Sequence, residues 1–370
     1  MADMASIVTV VDACGRAGVP VLLRGGPGQG KSSLVRGLAA SAGLRCETVL
    51  GSIREPAEIA GMPVTTADGV RLEPPAWAKR LAAEGEGVLF LDELTTCAPS
   101  VQAAMLAVVL DRAVGDLVLP ATVRMIAAAN PPEQAAGGYD LEPPLSNRFC
   151  HVGFTPSVDE WLDGMATGWE AVPASRAGVN SAERLAASTA AVTGFIRLRP
   201  ELLDKYPDSS AATGGPWPSR RTWAMTAKVL SHLRADDVAA TQAAVFGLVG
   251  EGAGAEFLSW VATADLPDPD AVIADPARVD WAGERPDRIW AVLAGVTTLA
   301  AQRGGVEAWR KAWGPLVACA KAGAPDVAAS SARALGKSRP AKATIPASAR
   351  EAFLPLLKAA GLIDDAEAVA

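Results

Sequence analysis

The sequence predicts an α/β fold with a parallel sheet in its first 160 residues and helices over most of the remainder. Short apolar, β-prone segments alternate with helical stretches from residue 19 to about 155, and strand patterns stop beyond that point. A glycine-rich phosphate-loop pattern joins the first of these strands to a helix. The chain has 370 residues, of which 50% are hydrophobic, so we expect more than one domain, each with its own core.

Five segments are the predicted strands of the parallel sheet: 20–24, 46–50, 87–91, 123–129 and 150–154. Residues 5–17 predict a helix that Gly18 ends. Within 61–72, two β-prone arms flank the dipeptide Asp68-Gly69, which is a strong turn signal. We therefore expect an inserted β-hairpin that projects from the sheet.

The second half of the chain predicts helices over 219–262, 287–322 and 346–362. Glycine, proline and serine predict a linker or irregular segment over 161–218, and small residues predict a flexible connection over 324–342. The expected domains are an α/β nucleotide-binding core over 1–160, the linker, a helical lid over 219–265 and a C-terminal helical extension over 266–370. Five of the ten tryptophans lie at or beyond residue 260, and we expect them to pack between helices, with a partner-binding face as the alternative.

Composition disfavours several classes of protein. The formal net charge of −7 gives no general reason to expect nucleic-acid binding. The five cysteines form no C-x-x-C pair and only two histidines are present, which disfavours a zinc site or a disulfide framework and fits a reducing cytoplasm. No secretory signal or membrane-spanning apolar run is evident, so we expect a cytoplasmic protein without a membrane span.

Residues 25–32 match the pattern G-x-x-x-x-G-K-[ST] between an apolar strand and a helix. In that setting the backbone N–H groups and the helix N-terminus favour a polyphosphate. Lys31 would reach the β- and γ-phosphates, and the Ser32 hydroxyl would coordinate Mg²⁺. The alternative is a glycine-rich turn without a ligand. The predicted nucleotide-binding residues are Gly25, Gly26, Pro27, Gly28, Gln29, Gly30, Lys31, Ser32 and Ser33.

An acidic pair, Asp92 and Glu93, ends the apolar strand at 88–91. The carboxyl edge of a parallel sheet is where P-loop ligands bind. Asp92 can hold Mg²⁺ through its water shell, and Glu93 can act as the general base for the attacking water. The alternative is that both acids cap the next helix, predicted at 95–110.

Asn130 ends the strand at 123–129, where it could orient the attacking water or contact the γ-phosphate. The alternative is an Asx turn that starts the following Pro131-Pro132 loop. Arg148 precedes the last predicted strand and is either a surface charge or an arginine finger that reaches a neighbouring subunit's γ-phosphate.

Two consecutive arginines, Arg220 and Arg221, follow Ser219, which we expect to be a helix N-cap. Cations are unfavourable in the first turn of a helix because of the helix dipole. Their position therefore hints at a nearby anion.

In order along the chain, these motifs resemble those of the AAA+ ATPases, most closely the MoxR-like branch, over about residues 19–265. The fold that this implies is a P-loop AAA+ parallel-sheet core with a β-hairpin insert, an α-helical lid and a further α-helical extension. Residues 25–32 resemble Walker A, 89–93 resemble Walker B and 127–131 resemble sensor 1. The motifs at 137–141 and 147–149 follow at the expected distances.

The resemblance places the arginine finger on Arg148 and sensor 2 on 218–221, with Arg221 as the sensor and Arg220 as the alternative. The hairpin at 61–72 corresponds to the helix-2 insert of this branch, and 115–120 to its pre-sensor-1 insertion. Two positions differ: Asn147 replaces a frequent acid, and Arg220 replaces a common proline. Neither change removes a catalytic group, so we expect an active ATPase. Residues 266–370 lie outside the resemblance.

The resemblance implies a Mg²⁺-dependent ATPase that works as a homo-oligomeric ring, expected to be a hexamer, and remodels a client protein as a chaperone. ATP would lie between one subunit's P-loop and the next subunit's Arg148, with Arg221 coupling the lid to the γ-phosphate. MoxR-like proteins often act with partners that contain a von Willebrand factor A domain, in chaperone-like or metal-insertion roles. The preference for adenine over guanine rests on the resemblance alone.

Two other classes of function stay open from the sequence. One is a nucleotide-gated binding module with little turnover, which intact Glu93 and Asn130 disfavour. The other is an AAA+ motor that acts on DNA, which the acidic balance disfavours and which salt-dependent DNA binding would support. A magnesium-chelatase-like ATPase subunit is a near relative of the main hypothesis.

Overall fold

The computed structural model describes residues 3–131, 134, 139–167, 172–341 and 343–359. The chain divides into two compact units. We call Met1–Val179 together with Asp204–Ala255 the sheet unit, and Asn180–Leu203 together with Glu256–Ala370 the helical unit.

The strands of the sheet unit form one five-stranded sheet and two hairpins. In chain order they are β1 (Val21–Arg24), β2 (Cys46–Leu50), β3 (Met62–Thr66), β4 (Gly69–Glu73), β5 (Gly87–Asp92), β6 (Ala113–Val114), β7 (Leu117–Val118), β8 (Val123–Ala129) and β9 (Cys150–Gly153).

The five-stranded sheet has the order β2-β5-β8-β1-β9, and all of its strands are parallel. It confirms the five predicted strands to within one residue at each end. Strands β1, β5 and β8 are nearly continuous buried runs, as expected of strands covered on both faces. Because the strands are parallel, the residues that follow β1, β5 and β8 meet at one edge of the sheet.

The helices are α1 (Met4–Arg16), α2 (Lys31–Ser41), α3 (Pro56–Ala60), α4 (Ala76–Glu84), α5 (Pro99–Asp111), α6 (Pro143–Ser146), α7 (Val158–Thr167), α8 (Ala182–Leu198), α9 (Ser210–Thr213), α10 (Arg220–Leu230), α11 (Val238–Val249), α12 (Glu251–Ala264), α13 (Pro269–Ala274), α14 (Pro286–Arg303), α15 (Gly305–Lys321), α16 (Pro325–Lys337) and α17 (Ala347–Ala359). Helix α11 packs on β9 in the sheet unit, where the Cys150 thiol lies 3.8 Å from the Ala244 carbonyl oxygen.

The predicted hairpin is present as β3 and β4, with its turn at Ala67 and Asp68, one residue earlier than expected. Strands β6 and β7 form a second hairpin at the predicted second insertion. The two hairpins are hydrogen-bonded to each other: Asp116 N donates to Leu72 O at 3.0 Å, and Leu72 N donates to Asp116 Oδ2 at 3.3 Å. They therefore form one connected projection of the sheet unit.

The helical unit has its own apolar core, in which aromatic residues take a large share. The rings of Trp309 and Trp313 meet edge to face with centroids 5.7 Å apart, and Trp309 Nε1 donates to Leu335 O at 2.7 Å. Trp260 and Trp281 are also buried, as predicted, and Trp290 is half-buried. Within the described parts of the chain, no helix is both long enough and apolar enough to cross a membrane.

Two stretches differ from the sequence expectation. The 17-residue helix α8 lies inside the expected irregular segment, and its small side chains allow close packing, with Ala186, Ala190 and Gly194 buried. The prediction of a flexible connection at 324–342 is wrong over 325–337, where α16 forms. Val327, Ser331 and Leu335 recur there every four residues and bury one helix face.

Candidate functional site

The loop between β1 and α2 is shaped by two glycines. A Cβ atom on Gly25 would lie 2.2 Å from the Phe154 carbonyl oxygen, so no larger residue fits at that position. Gly30 has φ = +91°, which is strained for any residue with a side chain, and it begins α2 without a side-chain cap. The N–H groups in the first turn of α2 are therefore available to a ligand.

Lys31 lies at the base of this loop and is only 8% exposed. Its Nζ donates to Gly25 O at 2.6 Å, to Gly26 O at 2.8 Å and to Asn130 Oδ1 at 2.9 Å. Burial lowers the pKa of Lys31, while the Asp92 carboxylate acts in the opposite direction. The Asn130 side chain therefore has a long-range partner in Lys31, which the alternative of a local Asx turn does not account for.

The Ser32 hydroxyl donates to Asp92 Oδ2 at 2.8 Å, so the first turn of α2 is joined to the end of β5. The other carboxylate oxygen, Asp92 Oδ1, accepts from Glu93 N at 2.9 Å. A hydroxyl and a carboxylate are hard oxygen ligands. This pair fits a Mg²⁺ ion whose remaining ligands are water molecules and phosphate oxygens.

Glu93 is in the left-handed region, with φ = +58°, at the start of the 3-10 turn Leu94–Thr96, and its side chain makes no capping hydrogen bond to that turn. The N-cap of α5 is Ala98, so the alternative that the acidic pair caps this helix is wrong. The Ser52 hydroxyl donates a short hydrogen bond to Glu93 Oε2. Sequence analysis missed Ser52, although β2 pairs with β5 through Leu50 and Asp92, which places Ser52 near the acidic pair.

An open cavity of about 350 Å³ lies at this edge of the sheet. Most of the predicted nucleotide-binding and metal-binding residues line this cavity. Gly25 and Gly26 are not in its lining, but their carbonyl oxygens accept hydrogen bonds from Lys31. Its lining residues are Pro27, Gly28, Gln29, Gly30, Lys31, Ser32, Ser33, Asp92, Glu93, Ala128 and Asn130.

Three predicted arginines do not line this cavity among the described residues: Arg148, Arg220 and Arg221. Instead, Arg221 lies close enough to Arg148 to act on its charge. Burial and then repulsion by Arg221 lower the pKa of Arg148, and Asp111 partly offsets this effect. Arg148 donates to Pro144 O, but its buried Nε has no hydrogen-bond partner among the described residues. We call Arg148 and Arg221 the arginine pair.

Hydrogen bonds fix the arginine pair to the rest of the sheet unit. Asn147, which is 3% exposed, donates from Nδ2 to Trp217 O at 3.2 Å and accepts at Oδ1 from Ser219 Oγ at 2.7 Å. Ser219 also accepts from Thr222 N at 3.2 Å, which confirms it as the N-cap of α10. The start of α10, which includes Arg221, is therefore attached to the residue that precedes Arg148.

A buried histidine lies beside the same attachment. Arg24 Nε donates to His151 Nδ1 at 3.0 Å, and Arg24 also donates to Gly214 O. His151 Nε2 lies 2.9 Å from Ser146 O, which fits a neutral ring with its proton on Nε2. Burial and the adjacent Arg24 lower the pKa of His151 to about 3. Arg24 thus connects the strand before the P-loop to the segment before α10.

Comparison with known proteins adds a family match. Residues 20–149 match the family model of the AAA domain (dynein-related subfamily), and the match extends from β1 to just before β9. A search of the curated proteins gave no match. A solved structure described as a "putative ATPase" from Cytophaga hutchinsonii is similar at 15% identity, with 75% of this chain and 90% of that chain covered and a TM-score of 0.40. Of the motif at 137–141 that the sequence singled out, Gly137 and Gly138 lie outside the described residues.

Proposed function

We propose that the chain, whose residues 20–149 match the AAA domain (dynein-related subfamily), is a Mg²⁺-dependent ATPase of the AAA+ class. Its active site is shared between neighbouring subunits of a homo-oligomeric ring, expected to be a hexamer. Hydrolysis drives the remodelling of a client protein, as in MoxR-like chaperones.

One observation carries this proposal. The phosphate-binding loop, the acidic pair and Asn130 line one cavity, whereas the arginine pair lies elsewhere in the same sheet unit. Phosphoryl transfer requires cations at the γ-phosphate as well as a base and a metal. The half-site that one subunit presents is completed if the arginine pair of the next subunit reaches it.

On the P-loop side, two of the three acceptors of Lys31 are the carbonyl oxygens of Gly25 and Gly26, which phosphate oxygens can replace. Ser32 and Asp92 are the residues that would hold Mg²⁺. When bound, this ion would neutralise the charge of the β- and γ-phosphates. Asn130 then keeps a contact to Lys31 at one side of the γ-phosphate position and can orient the attacking water.

We propose Glu93 as the general base that takes a proton from this water. Its carboxylate accepts a hydrogen bond from the Ser52 hydroxyl at Oε2.

We propose that Arg148 and Arg221 act together on the neighbouring subunit's γ-phosphate. The buried Nε of Arg148 has no partner among the described residues, and the charge of Arg221 acts on Arg148. An incoming anion would accept a hydrogen bond from this Nε and would offset the repulsion between the two cations. Because Asn147 and Ser219 attach α10 to the Arg148 segment, the two arginines are held as one unit. This assigns Arg221 to the neighbour's nucleotide rather than to the P-loop of its own chain. Arg220 is exposed in the same helical turn and is the alternative.

We propose the two connected hairpins as the surface that contacts the client. Val70, near the start of β4, and Val118, on β7, have strongly exposed apolar side chains. The hydrogen bonds between Leu72 and Asp116 would transmit a movement of either hairpin to the other. A client complex with a von Willebrand factor A domain is the version that the family resemblance favours.

The test is trans-complementation between two inactive variants. Glu93→Gln lacks the base and Arg148→Ala lacks the finger, so each alone should lose ATPase activity by about 1000-fold. In mixed rings, an Arg148→Ala subunit supplies its Glu93 and a neighbouring Glu93→Gln subunit supplies its Arg148. About one quarter of the interfaces in an equal mixture are then complete, so about that fraction of activity should return.

The control is the double variant Glu93→Gln/Arg148→Ala, which should restore no activity when it is mixed with either single variant. If mixing the two single variants restores nothing, the shared site is wrong. If Glu93→Gln hydrolyses ATP at the wild-type rate, the nucleotide-gated binding module is the better description of the protein.

A further inference from the structure

Helix α7 presents an apolar face that the sheet unit leaves uncovered. Val158, Trp161, Leu162 and Met165 are 74%, 52%, 52% and 61% exposed. Their spacing of three and four residues places them along one stripe of the helix. A stripe of this kind on an otherwise acidic helix, with Asp159 and Glu160 in its first turn, marks a contact surface.

The first part of this stripe borders a second cavity, of about 450 Å³. Residues of the P-loop line part of this cavity, and the start of α7, including Val158 and Trp161, lines another part. The full lining is Gly28, Gln29, Gly30, Ser33, Pro156, Ser157, Val158 and Trp161, of which the first four also line the phosphate cavity. The two cavities therefore adjoin across the P-loop.

The start of α7 is held in place relative to the core. Ser157 N donates to Glu160 Oε2 at 2.7 Å, and Glu160 N donates to Ser157 Oγ at 3.2 Å. Met4 N, in the first turn of α1, donates to the other oxygen, Glu160 Oε1, at 2.9 Å. The first turn of α7 is thus anchored on both sides, so Trp161 is positioned before a ligand arrives.

The chemistry of the second cavity suits a flat, uncharged group. None of its lining residues is charged, whereas the adjoining cavity contains Lys31 and Asp92. A nucleoside triphosphate has this division, with a charged polyphosphate at one end and an aromatic base at the other. Indole rings offer a broad face for base stacking, and the larger purines gain more contact area than pyrimidines.

We propose that Trp161, flanked by Val158, is the platform on which the base of the bound nucleotide stacks. This inference rests on the proposed function, because the phosphates must occupy the P-loop for the base to reach α7. Leu162 and Met165 lie further along the stripe and do not line the cavity, so the base covers only the part of α7 nearest the P-loop. A protein partner seated on α7 would instead depend on all four side chains.

The test measures two ligands by calorimetry on the full chain: MgATP, and Mg-tripolyphosphate, which has no base. Trp161→Ala should weaken ATP binding by about tenfold and leave tripolyphosphate binding unchanged within about twofold. Trp161→Phe keeps an aromatic face and should retain most of the ATP affinity. Met165→Ala removes an exposed apolar side chain of the same stripe and should leave both affinities unchanged.

The outcomes separate this inference from the proposed function. If Trp161→Ala binds ATP as tightly as the wild type, the stacking role is wrong while the ATPase proposal stands. An equal loss of both ligands in Trp161→Ala also overturns it, because the damage then lies at the P-loop. If the wild-type protein binds neither ligand, the proposed function fails first. If Met165→Ala loses ATP affinity as Trp161→Ala does, the stripe acts as a whole and base stacking is wrong.

Discussion

The P-loop edge and the arginine pair differ in how well their polar groups are satisfied. At the P-loop edge, Lys31 has three hydrogen-bond acceptors and the Ser32 hydroxyl is paired with Asp92. At the arginine pair, two cations adjoin each other and the buried Nε of Arg148 has no partner among the described residues. The chain itself satisfies the polar groups of the first region, whereas it leaves the buried Nε of Arg148 without a partner among the described residues.

This difference is consistent with different roles for the two regions in the proposed function. Buried donors without partners are costly and are retained where a ligand or partner completes them. The P-loop edge is preorganised by its own chain, which suits a site that binds first. The arginine pair is attached through Asn147 and Ser219 but lacks a counter-charge, which suits a group that acts on a neighbour's substrate.

After the losses expected for Glu93→Gln and Arg148→Ala, the largest effect concerns Arg221. Arg221→Ala should lower kcat about 100-fold, with little change in KM for ATP, because the lost charge stabilises the transition state. Arg220→Ala removes the same charge from the adjacent position of the same helix and should change kcat by no more than about threefold. Steady-state kinetics on the two variants makes the comparison.

Mixing Arg221→Ala with Arg148→Ala then decides on which subunit Arg221 acts. If both arginines serve the neighbour's nucleotide, they must come from the same subunit, and the mixture stays inactive. Recovery of activity in this mixture would mean that Arg221 acts on its own P-loop, and the arginine pair would not be a functional unit.

The next effect concerns the attachment of the pair. Asn147→Asp keeps an acceptor for Ser219 but cannot donate to Trp217 O, and it places a charge at a buried position. We expect the free energy of unfolding to fall by about 2 kcal/mol, measured by urea denaturation near pH 8. Asn147→Ala, which loses both bonds without adding a charge, is the control. Wild-type stability of Asn147→Asp would contradict the donor role of this amide.

The smallest effect is a pH dependence through His151, beside the segment that leads to α10. The pKa of folded His151 is lowered to about 3 from the ordinary 6.5, so the unfolded state binds more protons between these values. The free energy of unfolding should therefore fall by about 1 kcal/mol between about pH 7.5 and pH 5.5 through this residue. His151→Gln, which keeps a donor and an acceptor but does not titrate, should lack this part of the fall in urea titrations. An unchanged pH slope in His151→Gln would contradict the neutral buried ring.

Much of the fold was predictable because its signals are local. Apolar runs such as 87–91 and 123–129 are long enough to identify strands, and the turn residues near Asp68 identify a hairpin. Helices α8 and α16 were missed because small, weakly apolar residues have little periodic contrast, and packing against other helices stabilises them.

The site divides in the same way. The P-loop, Asp92-Glu93 and Asn130 each directly follow a strand, so the parallel sheet brings them together once its order is known. Ser52 and His151 carry no motif, and their contacts with Glu93 and Arg24 depend on which strands are neighbours. The pairing of Arg148 with Arg221 joins positions 73 residues apart (221 − 148), and no local pattern encodes it.

The sequence by itself determined the residues of the proposed phosphate-binding half-site, because glycine spacing and strand ends are local properties of the chain. Only the tertiary structure decided that the arginines lie together and outside that half-site. That arrangement depends on long-range hydrogen bonds from Asn147 and Ser146 to the segment before α10, and such bonds form only after the sheet unit has folded.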